Sequence, residues 1–362
     1  MKAAVISLGS KSSLWVAEAM KKYFDEVETL DIRNIEINLG EKGFASVLYN
    51  GEAIDKYDCV YAKGSFRYAT VLRALTILLE KKCYMPFEAP AFTIVHDKIL
   101  THQELQRFDI PMPKTYLSTT IDSAKKILKK INYPIIMKFP QGTQGKGVMF
   151  AESYAAASSV FDAMHSLKQP ILIQEYIETS GVDIRALVVG GKVVACMKRK
   201  SASDDKRANL HAGGKAESYE LDEQAKRISI NTAKALKSEI CGVDLLEGIK
   251  GHLVIEANLS PGLQGITEAT NIDIADKIAR FLYEKTNELI NSKIVNTKEI
   301  LEEIGINKPE NKELISCVDF RANRMLLPEL ITRISEFSDD DELLMNVKKG
   351  KLSIEKLNIS KD

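Results

Sequence analysis

The chain has 362 residues, with 50 Lys or Arg set against 50 Asp or Glu, so its formal net charge is zero at neutral pH. That length accommodates two or three domains of roughly 150 residues each. The charge balance excludes a global electrostatic pull toward nucleic acid or an anionic membrane, and no window approaches about twenty unbroken apolar residues, so neither a membrane span nor a signal peptide is predicted. Five cysteines (Cys59, Cys83, Cys196, Cys241 and Cys317) are scattered, odd in number and never closely paired. They predict reduced core thiols in a cytoplasmic protein, not disulfides or a zinc site.

In chain order, residues 2–8 form an apolar β-run ending at Gly9-Ser10, and Ser12 or Ser13 can cap a helix over 14–24. A strand over 27–32 follows, and this β-α-β opening predicts a parallel sheet. Trp15 on the helix reads as packing. Residues 44–49, the Asn50-Gly51 turn and residues 58–62 are expected to continue that sheet. Lys63-Gly64-Ser65-Phe66-Arg67 then leads into a helix over 68–81. A Lys and an Arg where a strand gives way to a helix suit an anionic substrate, because ligands on open α/β sheets gather at the carboxyl ends of strands; a solvated loop is the equal alternative.

Prolines at 90, 111 and 113 mark a domain junction near residue 92. Between them Asp97 can cap a helix over 98–108. The next lobe reads as strand 114–117, helix 122–131 and strand 134–139, then Pro140-Gln-Gly-Thr-Gln-Gly-Lys-Gly147 and strand 148–151. The glycine spacing fits neither a P-loop nor a dinucleotide fingerprint. It predicts a strand-loop-strand flap whose backbone N–H groups at Gly142, Thr143, Gln144, Gly145 and Gly147 close over phosphates. Lys138, the only charge in its apolar run, demands an anion, a nucleotide phosphate or else a structural salt bridge. A helix over 154–167 precedes the buried strand 171–177, where the backbone at Glu175, Tyr176 and Ile177 is suited to a purine edge. Residues 182–189 and 192–197 form a hairpin about Gly190-Gly191, with Asp183 and Arg185 on one face. Lys198-Arg199-Lys200 and the glycine-ended loop 204–214 are too long for a simple connector and read as a phosphate clamp, with a mobile surface loop as the alternative.

After a helix over 223–237, apolar runs 243–246 and 253–257 flank Gly248-Ile-Lys-Gly251 as a hairpin. Glu256 and Asn258 share a face, and folding back brings Asp244 opposite Ile255 or Glu256. Oxygen ligands without His or Cys suit a hard cation, Mg²⁺ foremost, bridging nucleotide phosphates; a solvated sheet edge whose acids face water is the alternative. Asp244→Ala or Glu256→Ala is expected to abolish turnover and to leave the fold largely intact. Asn271 is expected to cap a helix over 273–289. Residues 291–362 mix both charges, include Asp339-Asp-Asp-Glu342 and read as a small folded appendage without chemistry.

Gly142-Thr-Gln-Gly-Lys-Gly147, Asp183-Ile-Arg185, Asn209-Leu-His-Ala-Gly-Gly214, Gly242-Val-Asp244 and Glu256-Ala-Asn-Leu-Ser-Pro-Gly262, in that order, resemble the ATP-grasp superfamily and more closely the RimK group of ATP-dependent α-L-glutamate ligases. The resemblance implies an N-terminal open parallel α/β domain (1–92), a central α+β lobe with the flap (93–170), a second α+β lobe with the metal site (171–290) and the appendage (291–362). It implies an ATP- and Mg²⁺-dependent carboxylate–amine ligase, with Mn²⁺ as an alternative ion, that adds an amino acid, L-glutamate, to a small-molecule or protein-tail acceptor, in a chain that can form homo-oligomers. By position, it implies Lys98 and Lys138 at nucleotide phosphates and Glu175, Tyr176 and Ile177 at the adenine. Asp183 falls near the ribose, Arg185 at the acyl phosphate, Arg207 and Asn209 on the phosphate loop, and Asp244, Glu256 and Asn258 on Mg²⁺. The catalytic side chains are then Lys138, Arg185 and Arg207. Lys146, Ala208 and the appendage depart from the group's pattern. A kinase acting on a hydroxyl, or a nucleotide-binding regulatory module, uses the same lobes and stands as the alternative.

Overall fold

The computed structural model describes residues 1–40, 46–139, 147–165, 170–200 and 215–303, and in the remainder 319–321, 324–328, 331–332, 335, 337–338 and 341–357. Two compact units emerge, Met1–Lys293 and Ile294–Asp362. Among the described residues no helix is long and apolar enough to cross a membrane, and Cys59, Cys83, Cys196 and Cys241 are buried free thiols.

The apolar opening becomes β1 (Lys2–Ser7), followed by α1 (Lys11–Met20) and β2 (Glu26–Asp31). Ser10, not Ser12 or Ser13, caps α1 by accepting from Ser13 N. Ser12 and Ser13 are turned into the protein instead, and Ser12 Oγ donates to Gln264 Oε1 and accepts from Leu263 N, both at 2.9 Å. Next come β3 (Ile35–Asn38), β4 (Ser46–Tyr49), β5 (Glu52–Ala53) and β6 (Cys59–Ala62). Only β6 joins the first sheet, which runs β2-β1-β6 and is parallel throughout; β3-β4-β5 is a separate antiparallel sheet, because the Asn50-Gly51 turn returns the chain onto β4 itself. Helices α2 (Ala69–Leu79), α3 (Ala89–Val95) and α4 (Lys98–Arg107) follow, and Asp97 caps α4 through Ile99 N and Leu100 N.

The second sheet is built from β7 (Thr115–Ser118), α5 (Ile121–Leu128), β8 (Ile135–Lys138), β9 (Val148–Ala151), α6 (Tyr154–His165) and β10 (Ile171–Glu175), in strand order β7-β10-β8-β9. Ala124, Leu128, Ala157 and Phe161 from the helices meet Ile135, Met137, Ile171 and Ile173 from the strands in one core. The third sheet contains β11 (Val182–Val189), β12 (Lys192–Lys200), β13 (Lys215–Ser218), α7 (Glu223–Ala235), β14 (Ile240–Gly248) and β15 (Gly251–Asn258), in order β13-β12-β11-β14-β15. The period of two divides its side chains cleanly. Ile184, Ala186, Val188, Val243 and Leu245 pack toward Ala225 and Ile228 of α7. Leu187, Val189, Ala195 and Met197 pack the other way, in the core that contains Ile266 of α8 (Gln264–Thr270) and Ile278 of α9 (Ile274–Glu303). On that second face the run turns from apolar to charged at Arg185, Asp183 and Arg199. In the second unit β16 (Asp319–Arg321) pairs with β17 (Arg324–Leu326), and β18 (Leu343–Lys348) with β19 (Lys351–Lys356).

The β14–β15 strands reach both glycines, so the hairpin turns through Ile249-Lys250 alone. Straight pairing from Gly248↔Gly251 sets Asp244 against Ile255. A bulge after Asp244 absorbs Ile255 and sets Asp244 against Glu256. Asn271 does not start the last helix: it sits in the left-handed region at φ 55° as the C-cap of α8, and Asp273 caps α9 by accepting from Asp276 N.

Gly190 has φ +59°, and a Cβ there would lie 2.5 Å from the Phe281 ring of α9. Gly190→Ala is therefore expected to cost about 1–3 kcal/mol through backbone strain and overpacking, read as a lower midpoint in urea unfolding.

Candidate active site

A cavity of about 500 Å³ lies among three groups of elements. The carboxyl ends of β1 and β6 supply Ser7, Leu8 and Lys63; α3 and α4 supply His96, Lys98 and His102; the third sheet and its exit loop supply Arg185, Glu256, Asn258, Ser260 and Gly262. The exit loop is tied across the cavity by Ser260 Oγ donating to Gly64 O at 3.5 Å and by the bonds of Ser12. Gly242 permits its close approach, since a Cβ there would stand 3.0 Å from Pro261.

Behind this wall a row of charge crosses the sheet. Register places Arg185 opposite Asp244, Asp244 opposite Glu256, and Asp183 opposite Arg199. Arg185 Nε and Nη2 donate to the two Asp244 oxygens, each at 2.7 Å, with both side chains buried. Arg199 is paired with Asp183 through Nε at 2.9 Å and through Nη2, and its Nη2 also reaches Asp244 at 3.1 Å. Burial works against the Asp244 carboxylate, but Arg185 and Arg199 hold it at about 2. The positive charge beside Asp244 thus comes from the chain's own β11 and β12. The hairpin considered by itself did not reveal it. Glu256 is different: burial and then the Asp244 charge push its carboxyl up, while Lys98 and Lys138 pull it down. It lines the cavity with Asn258, whose Oδ1 accepts from Ser260 N at 2.9 Å. These oxygen donors fit a hard divalent cation, and Glu256 is the carboxylate of the three whose charge is least balanced.

The two lysines expected at phosphates are linked through residues that the sequence did not single out. Lys138 Nζ donates to Gln174 Oε1 at 2.7 Å; Gln174 Nε2 donates to His102 Nε2 and Thr115 Oγ1, both at 2.9 Å. An ammonium only donates, so the amide orientation is forced, and His102 Nε2 must accept. Its Nδ1–H then donates to Lys98 O at 2.6 Å. The imidazole is neutral, in keeping with burial pushing it down to about 4. Burial also pushes Lys138 down to about 8, opposed by Glu256 and reinforced by Lys98. Two signals were present: Gln174 directly follows the apolar run 171–173, and His102 follows Lys98 by one helical turn.

Other expected residues are placed as follows. Glu175 ends β10 and is exposed, Tyr176 stacks edge-on to Phe150 at 5.1 Å, and Ile177 is half-buried. Asp183 is buried and gives both oxygens to Arg199, so it does not line the cavity. Gly147 takes φ +79° at the start of β9. Arg199 and Lys200 belong to β12, not to a loop, and Lys198 lies over the Tyr219 ring at 3.8 Å. Gly142, Thr143, Gln144, Gly145, Lys146, Arg207, Ala208, Asn209 and Cys317 lie outside the described residues.

Antiparallel α+β lobes set against a parallel α/β sheet, with a cavity that gathers Lys98, Arg185 and Glu256, define an ATP-grasp ligase. The description "RimK-like ATP-grasp domain" matches residues 95–282, and the chain belongs to that family. It is 36% identical over 301 residues to a probable alpha-L-glutamate ligase of Marinomonas sp., covering 81% of this chain and 98% of the relative. To one from Methanococcoides burtonii it is 37% identical over 297 residues, covering 80% and 97%. Among solved structures the fold matches the ATP-grasp ligase PsnB, seen with a precursor variant, Mg and ADP, with a TM-score of 0.63 at 18% identity over 79% of this chain and 98% of that one. It also matches a RimK domain ATP-grasp protein from Sphaerobacter thermophilus, with a TM-score of 0.60 at 17% identity over 78% and 99%.

The two acids respond differently to substitution. Asp244→Ala leaves the buried Arg185 guanidinium unpaired and is expected to cost about 3–5 kcal/mol. Glu256→Gln removes a carboxylate that its surroundings already disfavour and is expected to leave stability unchanged or slightly raised. Urea unfolding of both variants checks this.

Proposed function

We propose that the chain is an ATP-dependent carboxylate–amine ligase that joins L-glutamate to an acceptor carboxylate through an acyl phosphate. The observation that carries this reading is the convergence of Lys98, Arg185, Glu256 and Asn258 on one cavity, in a chain that covers nearly the full length of relatives named as glutamate ligases.

A carboxylate is a poor electrophile. In this reading an oxygen of the acceptor carboxylate attacks the γ-phosphorus of ATP, ADP leaves, and the acyl phosphate forms. The glutamate amine then attacks the acyl carbon; inorganic phosphate departs and the amine proton is lost, leaving an amide. Mg²⁺, or Mn²⁺ in its place, supplies charge neutralisation on the phosphates when bound, with Glu256 and Asn258 as its holders and Asp244 beside them. Lys138 and Lys98 bind phosphate oxygens, and the neutral Gln174–His102 link ties the Lys138 ammonium to the backbone carbonyl of Lys98. Arg185, anchored on Asp244, keeps an outward face of its guanidinium toward the cavity, where negative charge builds up on the transferring group and then on the tetrahedral oxyanion. Asp183 acts through Arg199. Glu175, Tyr176 and Ile177 border the adenine, while Gly142, Thr143, Gln144, Gly145 and Gly147 together with Arg207 and Asn209 are assigned to binding the triphosphate. The lobes divide near residues 92, 170 and 290 in this scheme.

With ATP, Mg²⁺, L-glutamate and a panel of acceptor acids, the full chain should release ADP and phosphate only when acceptor and amine are both present. Glu256→Gln should lower kcat by roughly 10²-fold or more and keep its urea midpoint. Phosphate retained on a hydroxyl product would support a kinase instead. A second expectation follows from Lys138. Its folded pKa of about 8 lies below the ordinary lysine value, so the protonated form is present below pH 8 and lost above it. Affinity for a non-hydrolysable ATP analogue, measured by calorimetry, should therefore fall as pH rises through about 8. Lys138→Met should bind more weakly and lose that step.

A further inference from the structure

The sheet order β2-β1-β6 puts the first strand in the middle, with the chain passing first to β2 on one side and later to β6 on the other. The crevice outside the carboxyl ends of β1 and β6 is therefore the place where open α/β sheets receive ligands. Lys63 N extends the pairing by donating to Ile6 O at 2.9 Å, which sends the Lys63 side chain into this crevice. The side chain is 4% exposed. Among the described residues it has neither a hydrogen bond nor an ion pair; its recorded neighbour is the Tyr61 ring, with Nζ 5.6 Å from the centroid. Burial alone accounts for the displacement of its ammonium to about 8, with no acid pulling it back. Glu256 lines the same cavity, but the cations that act on it are Lys98, Lys138 and Arg185, not Lys63.

The crevice is positive from its other side as well. The N-terminus of α1 opens on the same cavity through Ser10 and Ser13, whose hydroxyls are 2.8 Å apart, and the first turn of α1 contains no acid. A buried cation with an aromatic ring but no anion beside it, in one cavity with a helix N-terminus and two hydroxyls, is a site that lacks its anion. We propose that Lys63, with Ser10 and Ser13, binds a carboxylate of the amino-acid co-substrate that takes no part in bond formation.

This rests on the ligase reading above. L-Glutamate brings two carboxylates beside its reacting amine, and both must be neutralised when water is shut out. The activated carboxylate belongs with the phosphates, at Arg185, Glu256 and Asn258 on the opposite wall. Lys63 is therefore free to define which amino acid enters.

Calorimetric titration of the full chain, saturated with a non-hydrolysable ATP analogue and Mg²⁺, tests this with L-glutamate, L-glutamine and the α-amide of L-glutamate. In Lys63→Met, L-glutamate affinity should fall roughly 30-fold or more, and binding of the nucleotide analogue should not change. One of the two amides should bind the wild type and Lys63→Met equally, and that one identifies the carboxylate. Removing an unpaired buried charge should also leave the melting temperature without amino acid unchanged or higher. Equal L-glutamate affinity in Lys63→Met, equal losses for all three compounds, or a lower melting temperature would each overturn the proposal. A wild-type chain that holds the nucleotide analogue but no L-glutamate would instead remove the glutamate reading, and this site with it.

Discussion

The buried pair between Arg185 and Asp244 is the interaction on which the rest of the site depends. It joins β11, the central strand of the third sheet, to β14 where the sheet face turns from apolar to polar, and it neutralises charge that could not be buried otherwise. Because Asp244 is committed to guanidinium, the excess negative charge of the row falls on its neighbour Glu256. Asp183 and Arg199 repeat the pattern one step along the same face, so Asp244 is held from two strands at once. The sheet thus delivers to the cavity one fixed cation and one carboxylate in need of a cation, a combination suited to neutralising polyanions.

A second constraint works at right angles to the first. Lys98 begins a helix, Lys138 ends a strand, and Gln174 belongs to β10, between β7 and β8. Directional hydrogen bonds through neutral groups join all three. A charged imidazole at position 102 would repel both lysines and reverse the sense of its bond to Gln174. The low basicity of His102 is therefore part of what lets two ammonium groups lie near one another.

The register of the acidic hairpin was legible in the sequence to within one residue, because glycines and alternating apolar runs specify where strands turn. The remaining residue was not legible. A bulge costs no recognisable residue type, and only the folded hairpin shows that Ile255 is the extra one. The parallel opening, the Asp97 cap and the Gly190-Gly191 turn were readable from local chemistry. The role of Arg199 was hidden inside a basic run that looks the same in a loop and in a strand. His102 and Gln174 were missed because their meeting depends on packing between elements 72 positions apart, which no local pattern encodes. The start of the last helix was misplaced because Asn serves equally well at either end of a helix.

The hydroxyl of Ser12 makes its two bonds to residues about 250 positions downstream. Closing so long a loop adds only slowly to the entropic cost but comes late in folding, after nearer contacts have formed. The wall between β1 and the loop after β15 is then a keystone, set only when synthesis has passed α8. A nascent chain consequently has no finished chamber in which to trap a phosphorylated acid. Competence arrives all at once, with the completed first unit.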